Sequence, residues 1–508
     1  MTIDVHLAVG SLAQQIIVEA VTPLLRPTEP SMTTVVSREF IEALPLSGRR
    51  YTDFVSLAPN VTADGEAGHV SVGGQQGSSD SGYHNGNGAN SFTVDGANAT
   101  STFFGAARGG TNVPYIFGEQ SIQEFQVAVA PYSAVYGGAG TGFINTVTKS
   151  GADFFHGGAF YYLRHSATGA NDVVSKATGF PKPLDVLQQF GGDLGGPLIK
   201  QKLWFYFDYE QQKRKEPVSI VDPNVDESLF LNVEPGTPLP VPNAAFPVPS
   251  TFSRPPSTHE SDYPVYLQQV SNALNSIDSS IGQARRRRDD LQLFSKADWQ
   301  PFIDDHFTFL YNYNHFDSPF GLFPFNPVAG MGLSALPNNF VRDHHVSMSW
   351  THIFRPSLFN DLHVSFLRDD QTVTPSGLID PSVTSVLLLS IGGFLLGNAP
   401  DTPSLTREFQ WEFGDRLDWT RGRHNLQFGF DANRTHVTYL SPGFSHGLYG
   451  FFSLTDFATG AYAFYLQSIG DAVFPLTVPY YGFYVQDEFR VRPNLTLNFG
   501  LREDFQAL

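Results

Sequence analysis

Cysteine is absent from the 508 residues, which removes disulfides, thiolate metal sites and cysteine nucleophiles together. Charge is scarce as well: 16% of the residues are Asp, Glu, Lys or Arg, where ordinary soluble domains carry about 25%. The charge present leans acidic, −18 overall, and phosphate neutralisation needs a basic face, so nucleic acid is not expected as a partner. No apolar run reaches the ~18 residues of a spanning helix; the longest, Val386 to Leu396, is interrupted by Gly392 and Gly393. A helical membrane protein is therefore not expected. A membrane barrel stays open, because its alternating strands average to neutral hydropathy. The opening Thr2-Ile-Asp-Val-His-Leu-Ala-Val-Gly10 lacks the basic start and apolar core of an export signal, so no signal peptide is expected within the chain and its start reads as truncated.

Catalytic signatures are missing too. The histidines show no His-Glu-x-x-His or comparable ligand spacing, and the neighbours His344 and His345 read as ordinary strand residues. Gly137 to Gly142 lacks the Lys-Ser/Thr ending of a phosphate-cradling loop, and Gly77-Ser-Ser-Asp-Ser-Gly82 falls outside the spacing of a nucleophile elbow. Adjacent acids such as Asp304 and Asp305, or Asp369 and Asp370, point to opposite strand faces or sit in turns. The chain is read as a non-enzyme with no cofactor and no metal.

Aromatics, by contrast, are plentiful: 14% of the residues, 45 of them Phe, beside 47 Gly. A chain this rich in Phe and this poor in charge either has a thick core or shows aromatic surface to something other than water. The lipid face and aromatic girdles of an outer-membrane barrel fit the second option.

Patterning along the chain separates three regions. Residues 1–27 alternate polar and apolar at Ile3, Val5, Leu7, Val9 and again at Ile16, Val18, Ala20, as two short strands do; Pro23, Pro27 and Pro30 then mark a linker. A short helix is predicted from Ser37, as N-cap, to Leu44, and a second from Thr52. Gly, Ser and Asn dominate residues 62 to 118, broken by a strand-like Ser91 to Asp95. Beyond about residue 150 come segments of ~10 residues with period-two alternation. Leu426, Phe428, Phe430 and Ala432 oppose Asn425, Gln427, Gly429 and Asp431. Phe307, Phe309, Tyr311 and Tyr313 oppose Thr308, Asn312 and Asn314; Val346, Met348 and Trp350 oppose Ser347, Ser349 and Thr351. The same split recurs at 481–490 and 495–502.

Alternation alone does not say whether the bulky face is the dry core of a soluble sandwich or the lipid side of a barrel. The connections favour the barrel. Phe354 to Leu358 and Val491 to Leu495 are tight turns, whereas 216–284, 316–341 and 370–404 are long and rich in Pro and Ser. Short turns at one end and long loops at the other are the outer-membrane pattern.

Particular residues carry a resemblance. Ser133-Ala-Val-Tyr136-Gly137, followed by Gly140-Thr-Gly142-Phe-Ile144-Asn145-Thr-Val-Thr148-Lys149-Ser-Gly151, resembles the end of the plug of TonB-dependent outer-membrane receptors. Phe92-Thr-Val-Asp95-Gly96 and Ile122-Gln-Glu124-Phe125-Gln-Val127 resemble its central and penultimate strands. Ile41-Glu-Ala-Leu44-Pro45-Leu-Ser-Gly48-Arg49 with Leu57-Ala-Pro59-Asn-Val61 is similar to the plug's opening in the Oar-like subgroup. Gln189-Phe190-Gly191-Gly192, Gly195-Gly196-Pro197 and Lys202-Leu-Trp204-Phe-Tyr-Phe-Asp-Tyr209-Glu210 are similar to that subgroup's early barrel strands.

The resemblance implies a mainly β fold: an antiparallel transmembrane β-barrel behind an N-terminal α+β plug, in the outer membrane of a Gram-negative-type bacterium. Residues 1–27 would be the tail of a carboxypeptidase-regulatory-like β-sandwich, 28–151 the plug, and 152–508 the N-terminal half of the barrel, with a long extracellular loop at about 216–284. It implies import of a bulky ligand such as a glycan, oligopeptide or chelate, with a TonB complex pulling on the plug, although no TonB box is recognisable. Oar-like adhesion or surface-protein handling is the alternative, and a secreted soluble β-rich binding protein the second. Expected partners are outer-membrane lipid, lipopolysaccharide and an unknown extracellular ligand. Candidate ligand contacts are Phe103, Phe104, Arg108, Asn112, Tyr115 and Phe117 on a Gly-rich plug loop, where exposed aromatics have no local core to join. Arg285, Arg286, Arg287 and Arg288 are candidate lipopolysaccharide contacts, since guanidinium forks match phosphate.

Eleven or twelve strands can be counted, where the family closes its barrel with twenty-two. An open barrel leaves two strand edges in hydrocarbon, each with several unpaired backbone groups costing several kcal/mol apiece. The sum, tens of kcal/mol, exceeds the ~5–15 that stabilises a domain. These 508 residues expressed alone are therefore expected to give no detergent-stable, heat-modifiable monomer on cold gel electrophoresis; a clear mobility shift on heating would contradict this.

Overall fold

Period-two segments that cannot bury both faces pair with their neighbours in chain order. The computed structural model describes residues 32–43, 51–64, 69–74, 90–102, 106–107, 117–129, 133–138, 140, 142–171, 182, 184–220, 263–321, 330–389 and 393–507. Within them eleven strands form one sheet, each hydrogen-bonded to the next: β1 (His156–His165), β2 (Val186–Ile199), β3 (Leu203–Lys215), β4 (Arg287–Phe302), β5 (Asp305–Ser318), β6 (Asn338–Arg355), β7 (Leu358–Thr374), β8 (Ser404–Arg421), β9 (His424–Leu440), β10 (Val473–Arg492) and β11 (Leu495–Gln506). All the pairings are antiparallel. Eleven agrees with the expected count, and β1 and β11 each have a neighbour on one side only.

Register carries the apolar face without a break from β5 to β11. Phe309 pairs Met348, Met348 pairs Val364, Val364 pairs Phe413, Phe413 pairs Ala432, Ala432 pairs Tyr481 and Tyr481 pairs Phe505. This row is turned outward: Phe309 is 42% exposed, Trp411 58% and Phe483 50%, whereas Asn312 and Gln410 on the opposite face are 0% and 1% exposed. A soluble sandwich would show the reverse, so the bulky face is not its core. Strand lengths agree with a membrane wall: β1 has 10 residues and β10 has 20, against the ~9–11 that cross a bilayer when tilted. Among the described residues no helix is long and apolar enough to span a membrane.

Inside the curve of the sheet sits the plug. Its strands run in the order 32–36, 122–129, 142–148, 90–94 and 97–98, with 90–94 parallel to 142–148. The expected first helix is α1 (Arg38–Ala43), with Phe40 and Ile41 N–H both donating to the Ser37 carbonyl, and the second is α2 (Tyr51–Val55). Ile41, Phe54, Val55, Phe92, Ile122, Phe125, Val127 and Ile144 make the plug core, which continues into wall residues Tyr206, Phe294 and Leu310. The strands expected within 1–27 lie outside the described residues.

The long connections differ from the expectation of plain loops. Segments 218–220 and 282–284 pair with each other, α3 (Tyr263–Asp278) follows the 221–262 stretch, and a four-stranded sheet runs 394–396, 385–388, 448–451, 464–466, followed at the third strand by α4 (Leu454–Thr459). They share one apolar core: Val218, Ile220, Val270, Leu274, Ile277, Leu388, Phe394, Phe451 and Leu454. The spacing Val270, Leu274, Ile277 is one face of a helix, and it explains why this stretch orders as one. The connections between β3 and β4, β5 and β6, β7 and β8, and β9 and β10 thus build a cap over one end of the wall.

Outward position and depth give a test. Phe430→Arg, in the middle of the apolar belt beside Phe413 and Phe483, should cost about 2–4 kcal/mol of folding stability in lipid, and Leu426→Arg near the turn rim about 0–1. Urea titration of the intact receptor's folding into vesicles reads the difference, and equal costs would contradict a bilayer against this face.

Candidate functional site: the plug–wall interface

The Asp95-Gly96 dipeptide makes a two-residue hairpin, with Val94 paired to Ala97 and both turn residues at positive φ, 47° and 87°. That conformation admits Asp-Gly readily, and it carries Asp95 to the wall. Asp95 accepts from the Thr148 amide at 2.8 Å and from the Thr148 hydroxyl at 2.5 Å. Lys296 of β4 completes the group, with its Nζ 3.0 Å from Asp95 Oδ2 and 3.1 Å from Thr148 Oγ1. An ammonium turned into a buried lumen face needs such a partner, because its desolvation is otherwise uncompensated.

Wall carboxylates hold plug backbone at further points. Glu408 and Glu412, four residues apart on β8, share the lumen face. Glu408 accepts from the Thr102 amide and the Ser101 hydroxyl, each at 2.7 Å. Glu412 accepts from the Asn98 amide at 2.8 Å and from Ser365 of β7 at 2.8 Å, with His363 Nε2 3.6 Å away. On β3, Glu210 accepts from the Gln120 amide at 2.7 Å while the Tyr206 hydroxyl donates to the Gln120 carbonyl at 2.7 Å. Gln486 of β10 accepts from Ser133 Oγ at 2.7 Å and the Ala134 amide at 2.9 Å. Such contacts to charged acceptors contribute about 1.5–3 kcal/mol each.

Arg502 of β11 explains one of the plug motif's glycines. Its guanidinium bonds Asp431 at 2.9 Å and Asp504 at 2.8 Å and donates to the Ala134 carbonyl at 3.4 Å. It also occupies the space a Cβ on Gly137 would need, 2.1 Å from Nη2. Any larger residue after Tyr136 therefore displaces the guanidinium. Between the plug edge and β6–β11 lies a cavity of about 450 Å³, lined by Asn90, Asp95, Tyr136, Glu412, Tyr480 and Arg502 among others. Its lining mixes charged and polar groups with apolar ones such as Val135, Phe143 and Val478.

Of the candidate ligand contacts, Phe103, Phe104, Arg108, Asn112 and Tyr115 lie outside the described residues. Phe117 is a correction: it is 1% exposed and packs edge-on against Phe294 of β4, 6.5 Å between centroids. A ring enclosed by plug and wall offers no ligand surface. The four-arginine run is corrected as well. Arg286 turns inward, fully buried and paired with Glu216 at 3.2 Å, and Arg288, paired across to the lumen-side Arg214, follows it; Arg285 and Arg287 remain exposed. The run thus divides two and two, and from Arg287 onward, where β4 begins, strand alternation sets the division. The neighbouring histidines divide in the same way: His345 is buried on the lumen face, and His344 lies outside, stacked on Tyr311 and tilted against Tyr313. Lys296, Glu408, Glu412, Gln486 and Arg502 were not singled out from the sequence. A signal was there: charged or amide residues at lumen-parity positions inside otherwise apolar-alternating strands.

A family model described as an outer membrane beta barrel domain matches residues 147–508, more than half of the chain. The chain belongs to that outer-membrane β-barrel family. The location of this outer-membrane barrel follows, and the soluble reading falls away. TonB-dependent transporter Oar of Myxococcus xanthus is 25% identical over 217 residues, 40% of this chain and 19% of that protein. Among solved structures, the outer membrane transporter YddB from Escherichia coli superposes with a TM-score of 0.59 at 12% identity, covering 93% of this chain and 56% of that one. The siderophore receptor PirA from Acinetobacter baumannii gives 0.55 at 12% identity, covering 94% and 57%. The plug-and-wall fold is thus that of TonB-dependent receptors, and this barrel chain spans a little over half the length of those solved structures.

Removing the Lys296 charge should strand Asp95 in the interface. Lys296→Met is expected to loosen the plug by about 3 kcal/mol, with Asp95→Asn/Lys296→Met recovering most of it. Amide exchange of residues 142–148 is the readout, and equal loss in the single and double variants would show that the pair is not coupled.

Proposed function

We propose that this chain forms the plug (28–151) and amino-terminal wall (152–508) of a TonB-dependent importer of the Oar-like subgroup, with residues 1–27 closing a preceding β-sandwich. The observation that carries the reading is how the plug is held. Wall oxygens and one ammonium grip single plug groups at Asp95, Asn98, Thr102, Gln120 and Ala134, beside a cavity whose lining mixes charged, polar and apolar groups. A stopper held by separable polar bonds can be withdrawn piecewise and re-seated. The cargo is a bulky polar ligand, a glycan, oligopeptide or chelate, and two of the solved neighbours are a siderophore receptor and a ferric enterobactin receptor. Phe103, Phe104, Arg108, Asn112 and Tyr115 are its proposed first contacts. They fall between two wall anchors, Thr102 on Glu408 and Phe117 on Phe294, so a ligand touching them would pull directly on the grip.

None of these 508 residues is a cysteine that could compete with an introduced pair. In cells expressing the intact receptor, Ser101→Cys/Glu408→Cys bridged by a short bifunctional thiol reagent should abolish uptake of whichever labelled glycan, oligopeptide or ferric chelate in a panel enters in an uncoupler-sensitive way. Uptake that continues after bridging, or that ignores the uncoupler, removes the importer reading.

A further inference from the structure

Charge is spread unevenly over this chain. The connections 217–284, 319–337, 375–403 and 441–472 hold eleven Asp and Glu and a single Lys or Arg, Arg254. Their described parts form the cap, at the end of the wall opposite the short turns, which is the external end of such a barrel. The acid excess continues inward. Lumen positions on β7, β8 and β9 carry Asp361, Asp369, Glu408, Glu412, Asp418 and Asp431. The one guanidinium at a lumen position on those strands, Arg416, is already bonded to Asp361 at 3.3 Å and to Asp418 at 2.8 Å. A mouth and an inner wall of one sign concentrate ligands of the other, and raise their association rates by about 10- to 1000-fold at low salt.

What β8 holds on this face is already a peptide. Plug residues 98–102 run antiparallel to 408–412: the Asn98 amide donates to Glu412 at 2.8 Å and the Thr102 amide to Glu408 at 2.7 Å. Four residues lie against four, about 13 Å of extended chain. The Ser101 hydroxyl donates to Glu408 at 2.7 Å and Gln410 Nε2 to Thr102 Oγ1 at 3.2 Å, so side chains as well as amides are read along the strip. In the adjoining cavity Asn90 is buried with its Oδ1 unpaired, an acceptor still open to an N–H. When the plug withdraws, Glu408 and Glu412 lose these amide donors inside the lumen, and a buried carboxylate stripped of a partner is costly. A chain that brings backbone N–H groups and positive charge together restores both the bonds and the charge balance.

We infer that the ligand is a basic oligopeptide, an extended chain with several Lys or Arg side chains, which takes the place of plug residues 98–102 along β8. The inference rests on the importer reading and narrows its cargo. Anionic ferric chelates and acidic glycans are the ligands that this mouth and this stretch of wall repel. The likeness to chelate receptors therefore extends to the fold and stops short of the ligand.

The test uses the intact receptor and three labelled decapeptides of one sequence, with Lys, Gln or Glu at the same four positions. In detergent, fluorescence anisotropy should rank Lys above Gln above Glu, with Lys about ten-fold or more above Gln at low salt and the gap closing at about 1 M salt, where screening acts within ~3 Å. Equal affinities, or tighter binding of the Glu peptide, overturn the inference. Equal binding of a chitosan oligomer of the same charge, which brings cations without a peptide backbone, overturns the peptide assignment. In cells, uncoupler-sensitive uptake should follow the same order. Glu408→Gln/Glu412→Gln keeps acceptors for the plug amides and removes the charge, so it should slow the Lys peptide about ten-fold more than the Gln peptide; equal slowing of the two overturns the seat on β8. Should that variant lose its heat-modifiable form, Glu412→Gln alone replaces it, with about three-fold expected. Uptake that ignores the uncoupler while the ranking in detergent stands removes the importer reading and still supports a basic ligand.

Discussion

In hydrocarbon a strand must send every N–H and C=O to a neighbouring strand, so the wall expresses its chemistry only through side chains, and these reach two media by turns. Everything else in the molecule follows from that division. With Phe309, Trp411 and Phe483 committed to lipid, the other face has to be polar, and polar groups enclosed in a lumen need partners. The plug provides them. Its own amides at Asn98, Thr102, Gln120 and Ala134 would in turn be buried without acceptors if Glu412, Glu408, Glu210 and Gln486 were apolar. Plug and wall therefore complete each other's hydrogen bonding, and neither surface makes physical sense alone.

How the contact is divided matters as much as its sum. Apolar packing between plug and wall is concentrated where Phe117, Tyr206, Phe294 and Leu310 meet. The polar grips are spread over β3, β4, β8, β10 and β11. An apolar seam of the same total strength would give way all at once, since its stabilisation scales with area. Discrete hydrogen bonds can be exchanged one by one for bonds to water as the cavity beside β8–β11 floods. Gly137 shows the tolerance of the fit: the absence of one Cβ leaves the space in which Arg502 reaches Asp431.

Much of this was legible beforehand. Period two, strand length and the alternation of short turns with long connections gave the wall, its face assignment and its count. The plug motifs gave the strands at 90–94, 122–129 and 142–148. Two kinds of feature escaped. Grips such as Asp95 with Lys296, or Thr102 with Glu408, join residues about two hundred and three hundred positions apart, and no local pattern reports a pairing at that range. Glu408 and Glu412 at spacing four could have been noticed as lumen carboxylates, but not what they hold. The four-arginine run misled for the opposite reason. As a string it reads as one basic patch, whereas in the fold half of it belongs to the lumen.

The cap's shared core bears on how such a protein is to be dissected. Leu388 and Phe394 from one connection are covered by Phe451 and Leu454 from another and by Ile277 from a third. Excising any single connection strips the remaining ones of their interior, so a loop-by-loop deletion survey would score the collapse of a common fold rather than the whereabouts of a contact. Point changes on the cap's exterior, which leave that interior filled, are the finer scalpel.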